Sequence, residues 1–274
     1  MLALPPAKIN LGLNVVRKRP DGYHDIETVF YPIPLRDVLE IEEARDGAED
    51  IQIVGMGPDD RPEDNLVYRV YSDMRSAYAL PPLRIYLCKH IPTGAGLGGG
   101  SSDAAETMKL INDIFSLGLR EEEMETKMRA YGADCPFFIR QKPVYAEGTG
   151  DVFSPVELTL RGLHFVLVKP RESVSTARAY GMLTPRPSVT DIRDILKGDI
   201  DTWKDRLRND FEGPVFRMHP AIGAIKQTLY DMGAVYAQMS GSGSAVFGIF
   251  RGEPAGDERK IFRDCFTFRK ELAI

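Results

Sequence analysis

The chain lacks several features that mark particular classes of protein. It has three cysteines in 274 residues, and Cys88, Cys135 and Cys265 are widely separated, so neither a disulfide framework nor a zinc site is indicated. No apolar run approaches the roughly 20 residues of a membrane span, and Met1–Leu4 lacks the charged and apolar regions of a signal peptide. The formal net charge of −5 argues against a nucleic-acid partner. We therefore expect a cytoplasmic protein that binds small molecules, without a membrane or nucleic-acid partner.

Glycine is concentrated in one stretch of an otherwise ordinary composition. Residues 92–102 read Pro-Thr-Gly-Ala-Gly-Leu-Gly-Gly-Gly-Ser-Ser, between the alternating apolar run 83–87 and a segment with helical periodicity. Glycine lets backbone N–H groups approach a ligand closely, and a helix N-terminus adds a partial positive charge that favours anions. The stretch therefore predicts a phosphate-binding loop, with a flexible surface loop as the alternative. The helical face predicted after it carries Ala104, Met108, Ile111 and Phe115.

The same stretch matches the dinucleotide-binding fingerprint G-x-G-x-x-G. Gly94, Gly96 and Gly99 supply the three glycines, and Asp113 lies at about the right distance downstream. Asp113, however, falls inside the helical pattern, whereas the fingerprint places its acidic residue at the end of a second strand. A Walker A loop is excluded because no Lys-Ser/Thr follows the glycines. We interpret the dinucleotide match as accidental.

The N-terminal stretch Leu4–Val16 has the alternation of a β-strand. Its apolar positions would face a core, while Lys8, Asn10 and Asn14 share the opposite face. That polar face is consistent with an exposed edge strand and equally with a functional site. Residues 26–31 predict a second strand soon after it.

Two further stretches allow a structural and a functional interpretation. Asp134 is a lone carboxylate in an apolar neighbourhood, where it must be paired or hydrogen-bonded. It fits a buried helix-terminal cap, and it fits an acid or base in a pocket. Ser240–Ser244 reads Ser-Gly-Ser-Gly-Ser between two β-like runs, 234–239 and 245–250. Because a hairpin turn needs glycine for positive φ, the residues alone favour a hairpin over a second phosphate-facing loop.

The remaining pattern predicts an α+β protein. Asp64 and Asn65 are both candidate N-caps for the first of the predicted helices. The stretches 145–150 and 154–155 are interpreted as a boundary, because the pattern changes after them. We therefore expect one domain over residues 1–155, with the glycine-rich loop, and a second over residues 156–274. Helices are predicted at 66–77, 121–131, 200–211 and 222–232.

Three motifs, in order along the chain, resemble those of the galactokinase, homoserine kinase, mevalonate kinase and phosphomevalonate kinase superfamily. They are the strand Pro6–Leu11, the glycine-rich loop Pro92–Ser102 and the late glycine loop Ser240–Ser244. The resemblance implies a two-domain small-molecule kinase fold, with an N-terminal domain of the ribosomal-protein-S5-domain-2 type and a C-terminal ferredoxin-like domain. It continues through Asp21–His24, Gly132–Phe137, Val174–Thr176, Ala179–Tyr180 and Asn209–Glu212.

The resemblance also implies ATP and Mg²⁺ as cofactors and phosphoryl transfer to an alcohol. Asp134 would be the general base, and Lys8 would keep Asp134 ionised and stabilise charge on the transferring group. The two side chains are therefore expected to converge beside the glycine-rich loop. The motifs do not specify the Mg²⁺ ligands; a serine hydroxyl of the loop and Glu106 are candidates. The residues expected to bind ATP are Pro92, Thr93, Gly94, Ala95, Gly96, Leu97, Gly98, Gly99, Gly100, Ser101 and Ser102.

The acceptor implied by the resemblance is a cytidine-containing alcohol. Tyr23 would stack on the base and His24 would read its polar edge. Asn10 would hydrogen-bond the substrate, and Tyr180 would complete an aromatic sandwich. Two alternatives stay open: another alcohol kinase of the superfamily, acting on mevalonate or homoserine, and a nucleotide-binding module without catalysis. The late glycine loop would present Ser240, Gly241, Ser242 and Gly243 to phosphates.

Overall fold

The computed structural model describes residues 1–56 and 62–273. These residues form two compact units, and each unit is assembled from separate stretches of sequence. The first unit contains Met1–Ala7, Leu35–Thr93 and Gly98–Lys142. The second contains Lys8–Pro34, Gly94–Leu97 and Pro143–Ile274. The units interleave along the chain, and the domain boundary predicted at residue 155 stays a prediction.

The secondary structure alternates strands and helices along the chain. The strands are β1 (Leu2–Ala3), β2 (Pro6–Lys18), β3 (His24–Arg36), β4 (Val38–Glu43), β5 (Asp50–Gly55), β6 (Leu83–Lys89), β7 (Val144–Glu147), β8 (Val152–Pro155), β9 (His164–Lys169), β10 (Tyr236–Met239), β11 (Val246–Phe250) and β12 (Phe266–Glu271). The α-helices are α1 (Leu66–Tyr78), α2 (Gly99–Ile114), α3 (Glu121–Met128), α4 (Phe137–Arg140), α5 (Thr176–Gly181), α6 (Ile192–Leu196), α7 (Trp203–Arg206), α8 (Glu212–Met218), α9 (Pro220–Asp231) and α10 (Glu258–Ile261). Within the described ranges, none of these helices is long and apolar enough to cross a membrane.

The first unit is a four-stranded sheet with helices packed on it. The strand order is β1-β4-β6-β5, and its pairs are antiparallel except for the parallel pair of β5 and β6. The alternation of β6 places Leu83, Ile85 and Leu87 in the core. Helix α1 starts at the predicted cap, since the Asn65 side chain accepts a hydrogen bond from the Val67 N–H at 2.9 Å. Helix α2 packs against α1 and β4, so both elements that flank the glycine-rich loop belong to one core.

The glycine-rich loop leads directly into α2, as predicted. Gly98 is the N-cap residue and has a φ of 70°. Ala104, Met108 and Ile111 are buried along α2, as predicted, whereas Phe115, the fourth residue of the predicted face, is the half-buried C-cap residue just after the helix. Asp113 is exposed within α2 and does not end a strand. The dinucleotide fingerprint is therefore an accidental match.

The second unit contains two four-stranded sheets. Their strand orders are β2-β3-β7-β8 and β10-β11-β9-β12. Helices α8 and α9 pack on the second sheet, where Val215, Ile222 and Leu229 are buried together with Val166 and Val168 of β9. This apolar layer holds β10 and β11, the two strands on either side of the late glycine loop.

Strand β2 is buried on both of its faces. Ile9 and Leu11 are fully buried on the apolar face, and Lys8 and Asn10 are only 3% and 2% exposed on the polar face. Burial of a lysine and an asparagine is costly unless their polar atoms are satisfied. The interpretation of this face as an exposed edge strand is therefore wrong.

Residues 145–150 and 154–155, which were interpreted as a boundary, lie in or beside an antiparallel hairpin of β7 and β8 that extends the sheet from β3. One prediction of local structure is also wrong. The helix predicted over 200–211 is interrupted, since Leu207 follows α7 in an extended conformation. The four apolar residues on which that helix was predicted are nevertheless all buried. Their spacing identified core positions but not the backbone conformation.

Candidate active site

Three segments from distant parts of the sequence meet in the second unit. The Lys8 N–H, in β2, donates a hydrogen bond to the carbonyl oxygen of Leu97 at 2.9 Å. Ser240 Oγ donates to the carbonyl oxygen of Gly96 at 2.8 Å. The Ala245 N–H donates to the carbonyl oxygen of Ala95 at 3.2 Å. The first strand, the tip of the glycine-rich loop and the late glycine loop therefore form one continuous structure.

Gly96 is the point of closest approach in this structure. Its φ is 76°, and a Cβ placed on it would lie 2.1 Å from the carbonyl oxygen of Ser240. Ser240 in turn accepts a hydrogen bond through Oγ from the Asn10 N–H at 3.3 Å. Any side chain at position 96 would displace the backbone of the late loop, so the glycine here is required by contact as well as by conformation.

The late glycine loop is the turn of a hairpin, as the residues alone favoured. Strands β10 and β11 pair antiparallel with Met239 opposite Val246, and Gly241 and Gly243 have φ values of 55° and 92°. The Asn209 side chain donates hydrogen bonds to the carbonyl oxygens of Met239 and Gly241, each at 2.8 Å. The hairpin is confirmed, and its role as a phosphate-facing loop stays a prediction.

The other side of the late loop contacts the segment that leads into α5. The hydroxyl oxygens of Thr176 and Ser242 are 2.9 Å apart, and Ser244 Oγ donates to the carbonyl oxygen of Glu172. The stretch Val174–Thr176 is one of those that resemble the kinase superfamily. Its Thr176 and the preceding Glu172 thereby contact the late loop on the side away from Asn209.

Lys8 is held by a hydrogen-bond network along β2. Its Nζ donates to Asn10 Oδ1 at 2.8 Å and lies 4.6 Å from the centre of the Phe30 ring. Asn10 Nδ2 donates to Thr28 Oγ1 at 3.1 Å, and that hydroxyl donates to the carbonyl oxygen of Gly12. The network orients a buried ammonium, the kind of group that stabilises negative charge on a transferring phosphoryl group.

Asp134 lies half-buried in the turn before α4, in the first unit. Cys135, which follows it, is buried. Burial raises the pKa of the Cys135 thiol to about 11, and the negative charge of Asp134 adds to the rise. This thiol is therefore protonated at physiological pH and is not a nucleophile. Because Lys8 belongs to the second unit, the expected convergence of Lys8 and Asp134 stays a prediction.

The start of α2 suits an anion. No side chain caps the helix at Gly98, and the backbone N–H groups of a first helical turn attract negative charge. Ser102 Oγ is fully buried and has no hydrogen-bond partner within the described part of the chain. An uncapped helix start beside an unsatisfied hydroxyl fits a phosphate group and its counterion.

Glu106 is already paired through one oxygen of its carboxylate. Its Oε1 accepts hydrogen bonds from Lys109 Nζ at 2.8 Å and from Gln141 Nε2. Across residues 1–56 and 62–273, no group of three or more His, Cys, Asp or Glu side chains is arranged to hold a metal ion. Mg²⁺ prefers oxygen ligands and shares them with phosphates, so Ser102 Oγ and the Glu106 carboxylate both stay candidates.

The predicted base-recognition residues all lie in the second unit. Tyr23 is 67% exposed. The rings of His24 and Tyr180 stack with centroids 4.6 Å apart, and Tyr180 meets Phe211 edge-on at 4.9 Å. Burial lowers the pKa of His24, and the positive charge of Lys18 lowers it further. A neutral imidazole beside an exposed aromatic ring can both donate to and accept from a nucleobase.

Sequence reasoning missed a buried ionic cluster beside the glycine-rich loop. Lys89 contacts the carboxylates of Asp37 and Asp103, and none of the three residues is more than 4% exposed. Burial raises the pKa of Asp103 to about 7, although the charge of Lys89 opposes the rise. The signal was present in the sequence, because position 89 continues the series 83, 85 and 87 that faces the core of β6.

Comparisons with known proteins match both parts of the chain. The GHMP kinases N terminal domain family matches residues 65–142, and the GHMP kinases C terminal family matches residues 191–266. The chain is 51% identical over 273 residues to the 4-diphosphocytidyl-2-C-methyl-D-erythritol kinase of Parabacteroides distasonis, covering 100% of both chains. It is 48% identical over 278 residues to the Bacteroides fragilis protein of that name, covering 99% of this chain and 100% of the relative.

Solved structures share the fold. A crystal structure of 4-(cytidine 5'-diphospho)-2C-methyl-D-erythritol kinase matches with a TM-score of 0.83 at 31% identity and covers 100% of both chains. The Methanococcus jannaschii mevalonate kinase matches with a TM-score of 0.72 over 100% of this chain and 98% of its own, and at 13% identity the likeness is one of fold alone. The expected two-domain α+β kinase fold is confirmed. The chain belongs to the GHMP kinase family of ATP-dependent small-molecule kinases.

Proposed function

We propose that this kinase transfers the γ-phosphate of ATP to the 2-hydroxyl of 4-(cytidine 5′-diphospho)-2-C-methyl-D-erythritol, a step of the non-mevalonate route to isoprenoid precursors. The observation that carries the proposal is the 51% identity, over the full length of both chains, with a kinase named for this substrate. The structure described above supports it, because Lys8, Asn10, the tip of the glycine-rich loop and the late glycine loop adjoin one another in a single unit.

The chemical step needs a base and a group that stabilises charge. Asp134 accepts the proton of the acceptor hydroxyl, whose oxygen bonds to the γ-phosphorus while the bond to the β-phosphate oxygen breaks and ADP leaves. Lys8 stabilises the negative charge on the transferring group. At ~4 Å and an effective dielectric constant of ~20, a cation contributes about 4 kcal/mol of attraction to an anion. Since Asn10 already orients the ammonium, little reorganisation is needed during the reaction.

The nucleotide is held by backbone groups rather than by many cations. The N–H groups of the glycine-rich loop from Thr93 onward, including the first turn of α2, bind the α- and β-phosphates. This suits a chain with a net charge of −5, which cannot attract a polyanion through its overall field. Mg²⁺, when bound, neutralises phosphate charge, and Ser102 Oγ and the Glu106 carboxylate are the residues that would contact it.

The cytidine moiety is recognised by aromatic side chains. Tyr23 supplies an exposed stacking face, and the neutral imidazole of His24 hydrogen-bonds the polar edge of the base. Tyr180 holds the His24 ring by stacking, and Asn10 hydrogen-bonds the substrate. Mevalonate and homoserine carry no base, so an aromatic platform would have no role in kinases for those substrates.

The proposal is tested with an assay that couples ADP release to a spectroscopic change. ATP and Mg²⁺ are supplied with the cytidine substrate, mevalonate or homoserine in parallel reactions. We expect turnover with the cytidine substrate alone. Turnover with mevalonate or homoserine would assign a different alcohol kinase, and ATP binding without turnover on any acceptor would favour a nucleotide-binding module.

A further inference from the structure

Three charged side chains are buried together in the first unit, and we call Asp37, Lys89 and Asp103 the Lys89 triad. Lys89 Nζ contacts Oδ2 of Asp37 and Oδ2 of Asp103. Burial of a charge is expensive unless the charge is paired and hydrogen-bonded, and apolar residues of similar size often serve stability as well. A role beyond stability therefore has to be sought in what the triad connects.

The triad connects the chain entering the glycine-rich loop with the chain leaving it. Lys89 is the last residue of β6, three residues before Pro92. Asp37 Oδ1 accepts a hydrogen bond from the Ile91 N–H at 2.7 Å and another from the N–H of His90. Asp103 lies one turn into α2, on the far side of the loop. One ammonium thus links both stems of the loop.

Lys89 is the cation that links Asp103 to the stem before the loop. Asp103 Oδ2 accepts a hydrogen bond from Lys89 Nζ, and Asp103 Oδ1 is buried without a hydrogen-bond partner in residues 1–56 and 62–273. The stems are also in close contact at Gly99. A Cβ placed there would lie 2.9 Å from Ile91 Cγ2 and 3.4 Å from Lys89 Nζ. Hydrogen bonds with directional geometry can fix this spacing, whereas apolar contacts would let the stems slide.

We propose that Lys89 is a positioning residue for the nucleotide: through Asp37 and Asp103 it sets the spacing of the two stems, so that the loop backbone presents its N–H groups to the phosphates of ATP. The inference rests on the proposed phosphate-binding role of the loop. It goes beyond that role by assigning the geometry of the loop to a buried cation that does not touch the nucleotide.

Two substitutions of Asp103 distinguish an effect on the position of the loop stems from an effect on the stability of the fold. Asp103→Leu removes the acceptor on α2 and leaves Lys89 paired one-to-one with Asp37, while Asp103→Asn keeps an oxygen acceptor for Lys89. We expect Asp103→Leu to raise the KM for ATP at least tenfold and to change the KM for the cytidine substrate less than twofold. Asp103→Asn should restore the KM for ATP to within about threefold of the wild-type value.

The matched control is Arg84→Met. Arg84 lies on the same strand, and its ion pair with Asp46 is exposed, so both kinetic constants should stay at their wild-type values. If Asp103→Leu yields no folded protein, the triple variant Asp37→Asn/Lys89→Met/Asp103→Leu removes all three buried charges and keeps an oxygen acceptor for the His90 and Ile91 N–H groups, and the same rise in KM for ATP is expected. If Asp103→Leu or the triple variant folds and has the wild-type KM for ATP, the inference is overturned.

A loop variant distinguishes failure of this inference from failure of the proposed loop function. Gly94 has a φ of 60° and open space around its Cβ position, so Gly94→Val strains the loop without a clash. If Gly94→Val raises the KM for ATP and folded Asp103→Leu does not, the role of the triad is refuted and the phosphate-binding role of the loop is not. An unchanged KM for ATP in Gly94→Val refutes the phosphate-binding loop itself, and the inference with it.

Discussion

Ser240 Oγ donates a hydrogen bond of 2.8 Å to the carbonyl oxygen of Gly96, and 144 positions of sequence separate the two residues. The same hydroxyl accepts a hydrogen bond from the Asn10 N–H. One serine therefore joins the late glycine loop, the tip of the glycine-rich loop and the first long strand. The three motifs that are separate in the sequence act as a single structural element, and a change in one is expected to affect the others.

Gly96→Ala should raise the KM for ATP about tenfold or more. The added Cβ would fall 2.1 Å from the Ser240 carbonyl oxygen, at a φ of 76°, so both glycine loops must shift. Steady-state kinetics at saturating acceptor measure the effect. Gly252→Ala is the control, because nothing lies within 4 Å of the position of its Cβ. Equal kinetics for the two variants would show that the contact at Gly96 has no role in nucleotide binding.

Asp134→Asn should lower kcat by roughly 10²–10⁴-fold, which is the usual contribution of a general base. The amide has nearly the same shape, so ATP binding should stay close to the wild-type value. Single-turnover kinetics and calorimetric titration with ATP measure the two quantities. Asp113→Asn, at an exposed carboxylate of the same unit, is the control. Substantial residual turnover in Asp134→Asn would remove Asp134 from the role of base.

Tyr23→Ala should raise the KM for the cytidine substrate more than tenfold and leave the KM for ATP unchanged. Loss of one base-stacking side chain costs ~1–3 kcal/mol. Tyr23→Phe keeps the ring and should behave like the wild type. Tyr86→Ala removes another exposed tyrosine, in the first unit, and should have no effect on either constant. An unchanged KM in Tyr23→Ala would place the base elsewhere.

His24 gives substrate binding a defined dependence on pH. Because burial lowers its pKa from the ordinary 6.5, the imidazole is less than half protonated at pH 6.5, where an unperturbed histidine is half protonated. We expect the KM for the cytidine substrate to rise in acid solution as His24 becomes protonated, with a midpoint below pH 6.5. An NMR titration of His24 measures the pKa directly, and a midpoint at or above 6.5 would contradict the prediction.

Asn209→Ala should destabilise the protein by about 1–3 kcal/mol, since it leaves two buried carbonyl oxygens of the late loop without their donor. Urea unfolding measures the change in free energy. Gln227→Ala removes an exposed side-chain hydrogen bond to Asp231 in the same unit, and we expect it to change the free energy of unfolding by less than ~0.5 kcal/mol. If the free energy of unfolding falls by the same small amount in both variants, the Asn209 side chain does not stabilise the late loop.

Elements with strong local periodicity were predictable from the sequence. The alternation in β2 and β6, the apolar face of α2 and the Asn65 cap all appear where the residues place them. In each of these, local sequence and tertiary burial favour the same conformation, so nothing overrides the pattern. The late hairpin was predictable for the same reason, because its glycines adopt the positive φ that the turn requires.

Long-range contacts were not predictable from the residues alone. The helix breaks after α7 because the next residues pair with β2. The Leu13 N–H donates a hydrogen bond to the carbonyl oxygen of Arg208 at 2.8 Å. Helical spacing at 200–211 could not reveal a partner strand almost 200 positions away. Likewise, the alternation of β6 places Lys89 at a core-facing position, but its partner Asp37 lies in another segment of the chain. Contacts of this kind depend on topology, which a local pattern does not encode.

Residues far apart in the sequence pair within the second unit, and this affects how the chain folds during synthesis. The Gly12 N–H donates to Gln238 Oε1 at 2.9 Å, across 226 positions of sequence, so β2 is synthesised well before this partner. Until translation reaches β10, β2 lacks that partner, and transiently exposed apolar strands are prone to aggregate. The interval between the synthesis of β2 and that of β10 is therefore a stage at which the nascent chain is expected to be open to misfolding.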